Sequence, residues 1–440
     1  MGLPEAFLKR MENLLGAEFP AFVEGYARPA FRGVRLNPLA CTGAVLRQNL
    51  PMALEPAPFS PLSFYAAWAE GFGRLPAHHA GMFYAQEPSA ASAVTALDPQ
   101  PGERVLDLSA APGGKSTQIA GLLGGRGLLW ANEVVKSRAS ALLSNLERLG
   151  VPNAVASCCR PEVLCRGLQG YFHRVLVDAP CSGEGMFRRD PRAVGEWSPQ
   201  HVEACALRQR AILDAAALAV GTGGVLVYST CTFSPQENEE TAAWFLENHP
   251  AFVAEDPLVP LGRPGLQGLG RRIYPMDGGE GHYLIRFRRV GENPSQAGSA
   301  VPLPTGAGAL AGQELYRQLF TGSPPPLAEV KGTVLIPPPE LPGLRGLGVL
   351  RAGVELGYQR KNRLEPAHGL FMSRPAGQCL QRLDLPPDSP ELAAFLRGEE
   401  LPCPGRGYIA VCVGGVTTGF GKASQGRLKN HYPKGLRNLR

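Results

Sequence analysis

The sequence predicts an α/β protein built on a doubly wound, mostly parallel sheet, and three observations carry that prediction. Short apolar β runs alternate with helical patterns from residue 105 to about residue 288, as strand–helix–strand units feeding one sheet do. A glycine-rich loop, SAAPGGK, joins the first run to a helix. Two later runs each break into a turn that carries a cysteine, Cys181 in DAPCSGEG and Cys231 in STCTFSP. Ligands of open α/β sheets sit beyond the carboxyl ends of the strands, so Asp178 and Cys181 are expected there side by side, with Cys231 just past the end of a like strand.

Composition narrows the class. The 440 residues suggest about three domains at roughly 150 residues each. Gly (54) and Pro (42) are abundant but short of the disordered range, which reads as many rigid turns. No apolar run approaches the ~18 residues of a membrane span, and the start, MGLPEAFLKRMENLLG, has no signal-peptide core. A cytoplasmic monomer without membrane contact is expected. Ten cysteines occur with no Cys-x-x-Cys pair, and nothing completes zinc spacing around Cys158, Cys159 and Cys165, so no metal is expected. The net charge of +6 is uneven. The last 40 residues hold seven Lys or Arg and no acid, leaving 37 bases against 38 acids before them, a net −1. A basic terminal block suits a polyanion partner, and a solvated tail fits the charge equally well.

Along the chain, residues 3–15 and 19–27 read as helices, and 46–50 looks helical within a small α+β domain over 1–78. Arg32 and Arg35 there are candidate phosphate contacts, and a merely exposed position fits them equally well. The sheet domain is expected over 79–290, with a helix at 89–97 and strands at 105–108, 127–131, 154–157, 175–177, 225–229, 252–254 and 283–288. Helices are expected between them at 116–123, 136–149, 199–220 and 236–248. A Pro/Gly/Ser/Asn-rich linker follows over 291–306. A first C-terminal domain is expected over 307–366, with a helix at 309–320, and a second over 367–440, with a helix at 392–397 and a strand at 408–413. VLRAGVELGYQ and GLFMSR both read as short strands. In the last domain Lys422, Arg427, Lys429, Lys434 and Arg437 interleave with Phe420, His431 and Tyr432, offering phosphate contact and base stacking together.

The glycine loop discriminates between cradles. GGKST ends like a phosphate-binding P-loop, but that motif needs glycine where Ser109 stands. G-x-G-x-x-G is absent as well. A cradle for S-adenosylmethionine (SAM) remains, formed by Ser109, Ala110, Ala111, Pro112, Gly113, Gly114 and Lys115. Glu133, just past the second strand, suits ribose hydroxyls. Arg138, in the next helix's first turn, reads equally as ligand contact or surface charge.

Four blocks in order, LDLSAAPGGKST, NEVVKSR, DAPCSGEG and YSTCTFSPQENE, resemble the RNA cytosine-5 methyltransferases, the RsmB/Nol1/NSUN group. QEPSA near Gln86 and RRIYPMDGGEGHY near Pro275 resemble weaker blocks. RLN at 35–37 and the ending RLKNHYPKGLR resemble the RsmF branch with its PUA-like C-terminal domain. The resemblance implies a Rossmann-like class I SAM-dependent methyltransferase core, with RNA rather than DNA as partner and small-subunit ribosomal RNA as substrate. Transfer RNA is the runner-up. Two departures stand out. Ser109 replaces a frequent cysteine of the first loop. Ser157-Cys158-Cys159-Arg160 lacks the usual acid after strand three, so no residue is assigned to the adenine.

Carbon 5 of cytosine is a poor nucleophile until a thiolate adds to carbon 6, and a free thiol is only a few per cent ionised at neutral pH. Chemistry alone leaves the roles of the two thiols open. The resemblance implies Cys231 as nucleophile and Cys181 as the group assisting product release. Asp178 would hold the cytosine's polar edge, protonate nitrogen 3 or touch SAM; Lys115 would contact cofactor or base. The other eight cysteines read as apolar filler. A catalytically silent RNA-binding assembly factor and a SAM enzyme for protein or small molecules remain alternatives. Retention of both thiols argues against the first, and the basic block against the second.

Overall fold

In the computed structural model, which describes residues 2–68, 71–257, 262–292, 301, 303–361 and 363–438, a ten-stranded sheet forms the centre of the chain. We number its main strands β1 (Arg104–Asp107), β2 (Leu128–Asn132), β3 (Ala154–Ser157), β4 (Phe172–Asp178), β5 (Val220–Thr230), β6 (Phe252–Glu255) and β7 (His282–Arg289). The order runs β3-β2-β1-β4-β5-β7, parallel from β3 to β5, with β7 antiparallel at the end. β6 and a short strand, Arg271–Ile273, both pair with β7, toward its two ends. The central strands are buried on both faces, which is why they read as continuous apolar runs. The expected doubly wound, mostly parallel sheet is present.

Helices cover both faces. Gly114–Leu123, Lys136–Arg148 and Pro199–Ala219 fall where the sequence put them, within a few residues. Two packed layers result: Leu106, Trp130, Val155, Val175 and Tyr228 on one face, and Val105, Leu129, Ala131, Leu176 and Val227 on the other. The alternation follows from the two-residue period of a strand. No helix among the described residues is long and apolar enough to cross a membrane.

The N-terminal region is tied into this core. Its two helices, Glu5–Leu15 and Phe19–Ala27, bury Phe7, Met11 and Phe22 against Phe187, Trp197 and Phe233. Burying side chains of this kind stabilises by roughly 1.5–3 kcal/mol each. They press on the loops past β4 and β5, which carry Cys181 and Cys231, and so hold them in place. A four-stranded sheet follows, and its last strand, Phe83–Ala85, pairs with Gly33–Leu36 although the sequence places residue 83 in the next domain. The helix read at 46–50 lies at Gly43–Gln48, capped by Thr42.

Past residue 306 the reading needs correction at GLFMSR. It is not a strand: His368–Met372 is a short helix packed under the strand Val416–Ser424, with Phe371 stacked on Phe420 at 4.4 Å. A short apolar run without periodicity fits either state, and tertiary packing decided it. VLRAGVELGYQ splits in two. Val349–Ala352 crosses over to pair antiparallel with β3, becoming the outer edge of the central sheet, and Val354–Arg360 belongs to a separate four-stranded sheet. The last sheet has five strands and packs on the N-terminal sheet through a shared apolar cluster including Val34, Phe83, Leu392, Phe395, Val411 and Tyr432. The linker expected at 291–306 falls largely outside the described residues.

Candidate active site

Strand register brings the two thiols together. Asp178 on β4 lies opposite Ser229 on β5, so the chain leaving each strand carries its cysteine to one point past the sheet's edge. The sulfurs of Cys181 and Cys231 stand 3.1 Å apart, as free thiols in hydrogen-bond contact. The Cys231 amide also donates to the Cys181 sulfur at 3.4 Å. The side-chain hydrogen bond with Cys231, reinforced by burial and by the Glu237 carboxylate, outweighs the opposing effect of that amide and pushes the Cys181 thiol well above its usual range. Cys181 therefore keeps its proton at physiological pH.

The Cys181 turn is fixed from behind. Glu237 accepts from the Ser182 amide at 2.9 Å and from its hydroxyl. Gln209 donates both to Glu237 at 2.8 Å and to the Pro180 carbonyl at 2.9 Å. Such a buried network leaves the loop little freedom.

Asp178 is the acceptor at the centre. Lys115 Nζ donates to its Oδ2 at 2.7 Å and Ser229 Oγ to its Oδ1 at 2.8 Å. Burial by itself would lower the Lys115 ammonium, but the Asp178 carboxylate outweighs it, with Cys231 and Asp107 adding to the rise, so the net shift is upward.

The glycine loop follows β1. Asp107 is fully buried; its Oδ2 accepts from Ser116 Oγ at 2.6 Å, while its Oδ1 has no hydrogen-bond partner. Burial pushes this carboxyl up to about 7. Past β2, Glu133 is buried as well. Its Oε1 accepts from the Val135 amide at 2.9 Å, its Oε2 has no hydrogen bond, and Arg138 stands 3.5 Å away. Arg138 also donates to the Ala111 carbonyl at 2.8 Å, so its guanidinium bridges the loop and Glu133. Buried carboxylate oxygens nearly always have partners. Two without them, at the ends of adjacent strands beside a glycine loop, fit a hydrogen-bonding cofactor such as SAM.

A cavity of about 410 Å³ gathers most of the expected residues: Ser109 to Pro112, Gly114, Lys115, Arg138, Asp178 and Cys231 line it. Cys181 sits behind Cys231 and is not part of the lining. Gly113 is not part of it either. At φ +114° its Cβ position points at Asn145 and Leu142 of the Lys136–Arg148 helix, so glycine is needed there for backbone conformation rather than for ligand approach. Gly114 is the residue whose Cβ would enter the cradle, 3.3 Å from the Tyr84 ring. Glu133 lies outside the lining, behind Arg138.

Further lining residues were not singled out from the sequence: Glu87, Arg189, Glu280 and His282. The QEPSA and GEGH stretches were the signal. Ser89 Oγ donates to Glu87 at 2.6 Å and meets His282 Nδ1 at 2.9 Å, which fixes the imidazole at the cavity wall. Burial, helped by the nearby Lys115 ammonium, pushes His282 down to about 3, so it is neutral at physiological pH.

Arg35, expected on phosphate, is corrected by the structure. It is 1% exposed and donates to Gln86 Oε1, the Gly114 carbonyl and Thr117 Oγ1, the last at 2.7 Å. Asn37 donates to the Gly81 and Leu149 carbonyls. RLN is thus a brace between the N-terminal sheet and the cradle side of the core. Arg32 is exposed and gives one N–H to the Trp68 carbonyl at 3.0 Å.

In the last sheet, Arg427, Lys429 and Lys434 are exposed and Lys422 and Arg437 half-buried. Lys422 and Lys429 lie directly opposite on paired strands, Lys422 over the Tyr408 ring and Arg427 paired with Glu400 at 3.1 Å. Like charges opposite each other in a sheet repel until an anion neutralises them. Phe420 and Tyr432, expected to stack on bases, are each 2% exposed. Tyr432 bonds His79 of the N-terminal region at 2.6 Å, so both rings are committed to packing.

Strand order, cradle and cavity together define the Rossmann-like fold of class I methyltransferases. Family models match most of the chain: 16S rRNA methyltransferase RsmB/F over 94–288, the N-terminal domain of RsmF over 3–88, the RsmF first C-terminal domain over 314–373 and the RsmF PUA domain over 382–438. The chain belongs to this RsmB/F family, on the RsmF side. Ribosomal RNA small subunit methyltransferase F of Cronobacter sakazakii is 37% identical over 324 residues, 69% of this chain and 65% of that protein. Its Escherichia coli O157:H7 counterpart is 35% identical over 323 residues, 68% and 65% of the two. The chain therefore spans a little under two thirds of the length of these relatives. A methyltransferase homolog protein from Pyrococcus horikoshii is 28% identical with a TM-score of 0.58, over 66% of this chain and 96% of that one. NSun6 from Pyrococcus horikoshii with SFG, at 23% identity and a TM-score of 0.59, shares the fold over 66% and 99% of the two chains.

Proposed function

We propose that this protein methylates carbon 5 of cytosine in RNA, with small-subunit ribosomal RNA as its substrate and SAM as its cofactor. One observation carries the reading: Cys231 lines the cavity between the glycine loop and Asp178, with a second thiol 3.1 Å behind it. The names of the relatives support the substrate, and the basic face of the last domain supports a polyanion.

The assignment of roles follows from placement. Cys231 faces the cavity, beside the Lys115 ammonium, and its thiolate adds to carbon 6 of the base. Asp178, already an acceptor for Lys115 and Ser229, accepts from the exocyclic amine and holds the ring's polar edge. When bound, SAM supplies the methyl group to carbon 5. The carbon-5 proton then leaves to a base and the Cys231–carbon 6 bond breaks, returning its electron pair to sulfur. Cys181 keeps its proton next to that sulfur and assists the release. Glu133, Arg138 and the loop from Ser109 to Lys115 would hold SAM, Glu133 offering its carboxylate to the ribose hydroxyls. Arg32, Lys422, Arg427, Lys429, Lys434 and Arg437 contact RNA phosphates, which fix register rather than sequence.

Substituting each thiol tests this. Cys231→Ala abolishes methylation of small-subunit ribosomal RNA and forms no adduct. Cys181→Ala accumulates a covalent protein–RNA species, seen as a shifted band on a denaturing gel. Activity surviving in Cys231→Ala, together with loss of activity and adduct in Cys181→Ala, reverses the assignment.

A further inference from the structure

We infer that a groove running from the N-terminal sheet into the candidate active site is the track for the single-stranded RNA flanking the target base. The inference rests on the RNA reading above and adds where the strand runs. A hollow of about 1050 Å³ on the N-terminal region is lined by Phe31, Arg32, Tyr65 and Trp68, among others. A second, of about 390 Å³, shares Phe31, Arg32 and Trp68 with it. This second hollow also shares Gln86, Glu87 and Arg189 with the catalytic cavity. The shared residues place the three hollows side by side, leading from the N-terminal sheet to Asp178 and Cys231.

The chemistry of the path suits unstacked nucleotides. A base entering the cavity must leave its stack, and its neighbours then need other surfaces to stack on. Phe31, Tyr65, Trp68 and Phe72 are all partly exposed along the groove. The Trp68 indole N–H has no hydrogen-bond partner, which is unusual for a buried donor. Two cations are free to meet phosphate. Arg32 is exposed with one N–H committed. Arg189 is exposed at the junction with the catalytic cavity and forms no side-chain hydrogen bond or ion pair among the described residues. Arg188 next to it does the opposite. It donates to the Pro29 and Gly25 carbonyls and to Glu280 and lies over the Phe31 ring, so it builds the wall. The acids along the path are already engaged: Glu87, within electrostatic reach of Arg189, accepts from the Ser89 and Ala90 amides, Glu280 pairs with Arg188, and Glu55 lines only the outer hollow.

Binding of a short oligocytidylate at several salt concentrations tests the track, alongside methylation of small-subunit ribosomal RNA by the wild type. Trp68→Ala is expected to weaken oligocytidylate binding about tenfold, the effect of losing one base stack, and Trp68→Phe to restore most of it. Arg32→Ala combined with Arg189→Ala is expected to reduce the salt slope by roughly 0.7 for each phosphate no longer neutralised. SAM affinity in Trp68→Ala and Arg32→Ala stays at the wild-type value. A wild type that binds and methylates RNA while folded Trp68→Ala and Arg32→Ala/Arg189→Ala proteins keep its affinity and salt slope overturns the track alone. A wild type that neither binds nor methylates RNA overturns the RNA reading and the track with it.

Discussion

Arg35 offers the sharpest quantitative test, because sequence and structure give it opposite roles. Read as a surface cation, it should affect RNA affinity and little else. In the fold it is 1% exposed, with Gln86, Gly114 and Thr117 as acceptors and Tyr84 beneath its guanidinium at 5.3 Å. Burial pulls the guanidinium down to about 9, still above working pH, so it remains charged. Arg35→Ala strands these acceptors. Gln86 can turn toward water, and Thr117 keeps its own bond to the Gly113 carbonyl at 2.7 Å. The Gly114 carbonyl keeps the Thr117 hydroxyl at 3.2 Å, so one buried acceptor is left short of a partner at ~1 kcal/mol, and the lost stem leaves a cavity costing about 2–3 kcal/mol. The sum is about 3–4 kcal/mol, a large share of the ~5–15 kcal/mol of a typical fold. Denaturant unfolding followed by tryptophan fluorescence measures it. Arg35→Met, which refills the volume without the donors, should recover only the cavity part. Arg35→Ala with wild-type stability and a lowered salt slope for RNA binding would refute the brace and restore the phosphate contact.

Two further outcomes follow from the geometry. Gly114→Val drives a side chain at Tyr84 and Gln86 within the cradle and should lower SAM affinity by tenfold or more in calorimetry, whereas unchanged affinity in a folded variant removes the loop from the cofactor site. Acid should destabilise the fold through His79 and His282, which burial holds down at about 4 and about 3. The unfolded chain takes up their protons near pH 6.5 and the native state does not, so the histidine contribution is full above that pH and falls as pH drops toward 3–4, while Asp107, held up at about 7 by burial, contributes in the opposite direction. At pH 5 the two together cost up to about 4 kcal/mol. His79→Gln/His282→Gln should flatten the change in urea midpoint between pH 7.5 and 5, and a double variant as acid-sensitive as the wild type contradicts the assignment.

The sequence by itself determined the sheet and the identity of the chemical groups. Apolar runs broken at Asp178 and past Ser229, and a glycine loop before a helical pattern, are local signals set by two- and 3.6-residue periods, and the folded chain keeps them. Four contiguous blocks were enough to reach the family. What came only from tertiary structure was every relation between distant segments. That the thiols meet at 3.1 Å depends on the register of β4 against β5, which neither strand's own sequence encodes. Arg35 looks like any exposed arginine until residues 86, 114 and 117 fold around it. Phe420 and Tyr432 sit in a basic block that reads as an RNA face, yet Phe420 packs into the cluster around Phe371 and Tyr432 against the N-terminal region, because an apolar ring goes to the largest dry surface within reach. Val349–Ala352 completes the edge of the central sheet from a domain some 200 residues downstream of β3. Local periodicity cannot anticipate such a partner, since backbone hydrogen bonds pair strands without regard to their separation along the chain.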